Sequence, residues 1–158
     1  MIKASLKRKK SMGQYFLRCA WVIRALIDAA AITKKDAVVE IGSGHGELTR
    51  PLAAAAGSVV AVEKDERLAL FLRDELAKKE IQGVEVIAAD IRTVLRQRQW
   101  RSKTENAIVV GNIPYYLTSW IFRKLLEGDA KPKKIVFTVQ KEVAERLVAT
   151  PPDMNLLA

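Results

Sequence analysis

Apolar positions change their spacing repeatedly along this chain, and each change marks an element. Trp21, Val22, Ala25, Leu26 and Ala29 recur at intervals of three and four, so a helix is predicted over roughly 18–31. Val38-Val39-Glu40-Ile41-Gly42 is a short apolar run ending in glycine, the pattern of a buried strand entering a tight turn. A helix is expected from about Glu47 to Ala56, where Gly57 stops it. Val59 to Glu63 reads as a second buried strand. Arg67 to Lys79 follows as a helix with Leu68, Phe71, Leu72 and Leu76 on one face. Val84 to Ala88 gives a third strand, ending at Asp90. The polar stretch Arg92 to Glu105 has no clear period and fits a short helix and a loop. Ala107 to Val110 makes a fourth strand, Leu117 to Leu126 a helix stopped by Gly128, Lys133 to Val139 a fifth strand, and Glu142 to Val148 a last helix.

Strands that alternate with helices in this way imply an α/β fold with a mostly parallel, doubly wound, Rossmann-like sheet. Ligands in such sheets lie beyond the carboxyl ends of the strands, where the strand order reverses. Chemistry is therefore expected just after the strands. A basic arm, 1–12, precedes one domain, 13–158, and 158 residues suffice for a single core.

After the first strand stands Glu40-Ile41-Gly42-Ser43-Gly44-His45-Gly46. Glycines here permit positive φ and a close backbone approach to a ligand. The spacing G-x-G-x-G differs by one residue from the dinucleotide fingerprint G-x-G-x-x-G. With an acidic residue two places before the first glycine, it points to S-adenosylmethionine rather than NAD; a purely structural turn is the alternative. Glu63 ends the second strand, about 20 residues after Gly42, where a carboxylate can accept both ribose hydroxyls of an adenosine. Asp90, at the end of the third strand, can meet the adenine amine or cap the helix that follows.

Asn112-Ile113-Pro114-Tyr115 follows the fourth strand. An exocyclic adenine amine is a poor nucleophile, because its lone pair is delocalised into the ring. A carboxamide oxygen and a backbone carbonyl that accept its N–H groups draw the nitrogen toward tetrahedral geometry. Proline stiffens the loop and brings no competing N–H. Tyrosine offers a stacking face for a base turned out of its surroundings.

Charge adds a partner to this picture. Twenty-seven basic against eighteen acidic residues leave +9, with a pI near 9.8. Such an excess favours a polyanion, since each phosphate neutralised releases counterions. A membrane partner is disfavoured: no apolar run reaches the roughly 20 residues of a span, and the basic start lacks an apolar signal-type segment. One cysteine, Cys19, excludes an intrachain disulfide and suits a reducing, cytoplasmic setting. His45 has no ligand-type companions, so no metal site is expected. Trp21, Trp100 and Trp120 read as packing residues.

Taken together, the motifs resemble the ribosomal RNA adenine dimethyltransferases, a family that includes the bacterial small-subunit enzyme and its macrolide-resistance relatives. The matching segments are Gly13-Gln14-Tyr15-Phe16-Leu17, Val39 to Thr49, Glu63, Asp90, Gly111-Asn112-Ile113-Pro114-Tyr115-Tyr116, and Val139 to Leu147. The resemblance implies a class I S-adenosylmethionine-dependent methyltransferase fold, with cofactor contacts at Tyr15, Leu17, Gly42, Gly44, Glu63, Asp90 and Asn112. It assigns Asn112, Ile113, Pro114 and Tyr115 to the target adenine. It gives Lys7, Arg8, Lys9 and Lys10 a share in holding RNA. Tyr15 departs from the Asn or His usual at its position. The family also continues beyond Ala158, so the last strands of the sheet and a C-terminal helical domain are expected to be missing.

The resulting expectation is transfer of the sulfonium methyl to adenine N6, twice on one nitrogen, in small-subunit ribosomal RNA during ribosome biogenesis, by a monomer acting on a subunit precursor. The alternatives are a resistance-type enzyme acting on large-subunit RNA and a non-catalytic assembly factor that binds ribosomal RNA with the same fold.

Overall fold

The computed structural model describes residues 19–128 and 131–149. Five strands form one parallel sheet: β1 (Ala37–Ile41), β2 (Ser58–Glu63), β3 (Val84–Ala88), β4 (Ile108–Asn112) and β5 (Lys134–Thr138). Their order is β3-β2-β1-β4-β5, so the winding reverses between β1 and β4. The connections carry α1 (Ala20–Ala30), α2 (Thr49–Ala55), α3 (Glu66–Lys78), α4 (Ile91–Val94), α5 (Arg101–Thr104), α6 (Thr118–Glu127) and α7 (Lys141–Leu147). The expected doubly wound architecture is the observed one.

Both faces of the central strands are covered, which is why their sequences are apolar without alternation. On one face, Leu26 and Ala30 of α1 and Leu52 of α2 pack on Val38, Val59, Ile108 and Val110. Leu72 and Leu76 of α3 meet Ala61 and Val86 nearby. On the other face, Ile91 and Val94 of α4, Trp100, and Ile121 and Leu125 of α6 cover Val39, Ile41, Val62 and Val109. Each fully buried leucine or isoleucine contributes about 1.5–3 kcal/mol of transfer free energy.

Register is set by this burial, because a slip of one residue would turn the apolar set to the wrong face. Val38 lies beside Val59 and Ile108, and Ile41 beside Val62 and Gly111. Gly111 is required for that closeness: a Cβ there would stand 2.7 Å from the Ile41 carbonyl oxygen.

Three local expectations are refined. The buried stripe of α1 runs through Leu26 and Ala30, with Val22, Ile23 and Ile27 beside it, and leaves Ala25 and Ala29 exposed. Trp21 is 72% exposed, so among the described residues it is no core residue, whereas Trp100 is buried and Trp120 packs at the core's edge. Trp21 is apolar but lies five residues before Leu26, which puts it on a different side of the helix. The stretch without a period, Arg92 to Glu105, holds the end of α4, a 3-10 turn at Arg98–Trp100, and α5. Its elements are too short to show a period.

No helix among the described residues is long and apolar enough to cross a membrane, and no group of metal-ligating side chains occurs among them.

Candidate active site

The carboxyl ends of β1, β2, β3 and β4 bring Gly42, Gly44, Glu63, Asp90 and Asn112 to one rim. After β1 the chain turns sharply, with φ of 78° at Gly42, 56° at Gly44 and 81° at Gly46. Side chains with a Cβ rarely adopt this left-handed conformation. Gly42 donates its N–H to the Val62 carbonyl at 2.8 Å, and the Gly46 N–H closes the turn on the Ser43 carbonyl at 2.9 Å. Packing adds a second requirement at Gly46, where a Cβ would lie 2.4 Å from the Leu72 side chain. His45 sits edge-on to Phe71, with ring centroids 5.4 Å apart.

Glu63 is buried, and it is not the solvated surface carboxylate its charged neighbours suggest. One oxygen accepts the Gly44 N–H at 2.8 Å and the other accepts the Asp65 N–H at 2.8 Å. The residue thus holds the glycine turn and the start of α3 together. Below it, Glu40 is buried and accepts the Thr49 hydroxyl at 2.6 Å. Burial pushes Glu40 up to about 8, the Thr49 hydrogen bond works the other way, and the charge of Glu63 adds to the rise.

Asp90 takes the helix-capping option. It accepts the Arg92 N–H at 2.9 Å and ion-pairs with the Arg92 guanidinium at 2.7 Å and with Lys64 at 3.0 Å. Those hydrogen bonds, led by the Arg92 side chain, hold its carboxyl well below the usual carboxylate range, against partial burial. Capping does not exclude a ligand, because a carboxylate has about four acceptor positions.

Asn112 ends β4 at half-burial, next to Gly42: a Cβ on Gly42 would meet the Asn112 carbonyl oxygen at 3.8 Å. Ile113 is buried and anchors the loop in the core. The Pro114 carbonyl accepts the Leu117 N–H at 2.9 Å, closing the 3-10 turn Tyr115–Leu117 that leads into α6. Thr138 of β5 donates its hydroxyl to the Asn112 side-chain oxygen. Lys7, Arg8, Lys9, Lys10, Tyr15 and Leu17 lie outside the described residues.

Sequence reasoning missed three things here. Lys64 reaches Asp90, Thr138 reaches Asn112, and Ser43 and Thr118 are buried beside the two loops with hydroxyl oxygens that have no partner among the described residues. A hydroxyl residue near the carboxyl end of an apolar strand is the signal the sequence holds for Thr138. A groove lined by Ser58, Gly83, Val84 and Lys103 lies at the opposite, amino-terminal end of the strands and shares none of this chemistry.

The rim offers two carboxylates, at the ends of β2 and β3, and a carboxamide on β4 beside the glycine turn of β1. Those acceptors fit a nucleoside, whose ribose hydroxyls and adenine amine both donate. Strand order and site together define a Rossmann-like, class I methyltransferase fold. Residues 5–155 match the family described as Ribosomal RNA adenine dimethylase, and the chain belongs to that family. It is 40% identical over 149 residues to Ribosomal RNA small subunit methyltransferase A of Desulforapulum autotrophicum, covering 94% of this chain and 52% of that relative. The fold is similar to a dimethyladenosine transferase from Plasmodium falciparum, with a TM-score of 0.75 and 28% identity over 86% of this chain and 47% of that one. It is also similar to the 23S rRNA methyltransferase ErmE, with a TM-score of 0.71 and 33% identity over 84% of this chain and 50% of that one. The chain spans about half the length of the curated relatives it matches.

Proposed function

We propose that this chain carries the methyl-transfer site of an S-adenosylmethionine-dependent enzyme that dimethylates adenine N6 in small-subunit ribosomal RNA. The observation that carries the reading is the meeting of the glycine turn and Asn112 on adjacent strands, β1 and β4, at the reversal of strand order. Gly42, Gly44, Glu63 and Asp90 take the cofactor: Glu63 receives the ribose hydroxyls and Asp90 the adenine amine. Tyr15, Leu17 and Asn112 complete the cofactor contacts. When bound, the cofactor supplies an electrophilic methyl on a good leaving group.

The chain's own work is orientation and hydrogen bonding. Asn112 and the Ile113–Pro114 backbone accept the N–H groups of the target amine, and these bonds strengthen as the nitrogen becomes tetrahedral. Tyr115 stacks on the turned-out base. Residues 1–12 form a basic arm in which Lys7, Arg8, Lys9 and Lys10 meet phosphates, ahead of a catalytic domain over 13–158. The net charge of +9 supports a ribosomal RNA partner, and the lone cysteine suits a cytoplasmic setting.

The test is transfer of labelled methyl to purified, unmethylated small and large subunits, with nucleoside analysis. Dimethyladenosine confined to small-subunit RNA is the expected result. Label in the large subunit alone would assign the chain to the resistance-type reading instead, with which the likeness to ErmE is compatible. Binding of RNA without label in either subunit would leave the assembly-factor reading.

A further inference from the structure

We propose that Thr138 is a positioning residue for the reaction: its hydroxyl holds the Asn112 carboxamide with the oxygen set to receive the target amine. This rests on the reading of Asn112 given above. Asn112 and Thr138 are register partners, the last residues of β4 and β5. Neighbouring parallel strands run about 4.8 Å apart, and residues in register project to the same face. A hydroxyl on β5 is therefore within reach of a side chain on β4 by construction, and it donates to the Asn112 oxygen.

The contact matters because an asparagine amide has two nearly equivalent settings. Its terminal torsion is broad and roughly two-fold, so the amide can present either an oxygen or an NH2 group in one place. Only the oxygen accepts an amine N–H; the NH2 group would oppose donor to donor. In the observed setting the Thr138 hydroxyl donates to the oxygen and holds the amide against rotation. An amide oxygen has two lone pairs, so it takes the hydroxyl and an amine N–H together.

Because Thr138 lies on the strand beyond β4, away from the glycine turn of β1, its contribution should fall more on turnover than on cofactor binding, which Asn112 shares with Gly42, Gly44, Glu63 and Asp90. Valine keeps the branched shape and the strand preference without the hydroxyl, while serine keeps the hydroxyl.

The experiment compares the full chain with Thr138→Val and Thr138→Ser. Methyl transfer to unmethylated subunits, cofactor affinity by calorimetry, and the Asn112 side-chain amide resonances, identified by their loss in Asn112→Asp, are read for each. Thr138→Val is expected to shift those resonances and to slow turnover about tenfold, the size of one lost hydrogen bond. Cofactor affinity falls by less than turnover does, and Thr138→Ser restores both. Unmoved amide resonances in Thr138→Val overturn the proposal, as does unchanged turnover alongside an active parent. A parent that transfers no methyl to either subunit refutes the functional reading, and the resonances alone then decide whether Thr138 holds Asn112.

Discussion

Glu63 works on two parts of the chain with one carboxylate, which gives its substitution two separable effects. Its oxygens satisfy the Gly44 and Asp65 amides, both of which would otherwise be poorly served in a buried corner. Glu63→Gln replaces one acceptor by an NH2 group that faces an N–H, so the turn loosens on one side. We expect cofactor affinity to fall at least tenfold, by calorimetry, with a smaller loss of stability of about 1–2 kcal/mol in urea unfolding. Asn112→Ala should do the opposite: turnover falls roughly 100-fold or more, as when an electrostatic partner of a transition state is removed, far more than cofactor affinity does. Equal losses in turnover and cofactor affinity for Asn112→Ala would remove it from the reacting amine. At this scale the sequence was informative about identity and silent about partners. Spacing after the glycine turn located Glu63, but only the fold reveals that its carboxylate is buried and already engaged. Asp90 was legible both as a cap and as a ligand residue, and the cap is what the free chain makes.

Helix starts and strand contacts decide how firmly these residues are held. Asp65 caps α3 by accepting the Arg67 N–H at 3.0 Å, and the Arg67 side chain holds its carboxyl at about 2. Asp65→Ala should cost about 1 kcal/mol in urea unfolding at neutral pH. That loss should shrink as pH falls through the folded-state value near 2, because the depressed carboxyl stabilises only while ionised. Gly111→Ala is a harsher change. Its methyl would stand 2.7 Å from the Ile41 carbonyl oxygen, a backbone atom that cannot swing away. Overpacking of this kind costs about 1–3 kcal/mol, and it acts on the strand that carries Asn112. Thermal unfolding and turnover should therefore both suffer, in contrast to Asn112→Ala. The elements themselves were largely legible: every strand lies within a residue or two of its expected bounds, because buried parallel strands are continuous apolar runs. The face of α1 was less so. Trp21 and Ala25 share the apolar label with the true stripe but not its direction.

The whole molecule responds to pH through groups the sequence does not mark as unusual. Glu40, raised to about 8, keeps its proton in the folded state near neutrality, whereas the unfolded chain releases it near 4.5. The folded state then binds more protons, so its stability falls as pH rises from about 4.5 to 8, by at most about 1.4 kcal/mol per pH unit. Glu40→Gln keeps an acceptor for Thr49 and should flatten that dependence. Urea unfolding at pH 5 and pH 8 measures it, and a parent whose stability rises over that interval would contradict the assignment. Asp36 has the opposite sign. Lys133, 2.6 Å away, holds its carboxyl far below the ordinary range, assisted by Thr33. Its contribution is present above about pH 4 and vanishes in acid.

The adjacency of β1 and β4 also fixes an order of events in time. β1 finds β2 close by in sequence, but its other neighbour is about 70 residues away, and distant pairings form slowly because the chain between them must first be confined. A newly made chain can thus assemble the turn, Glu63 and Asp90 as one unit before Asn112 arrives. The half of the rim proposed to hold the nucleoside matures early, and the half proposed to touch the reacting nitrogen matures last. Pulse-labelled amide exchange during refolding should protect β1 and β2 ahead of β4; simultaneous protection of all three would show that the sheet closes in a single step.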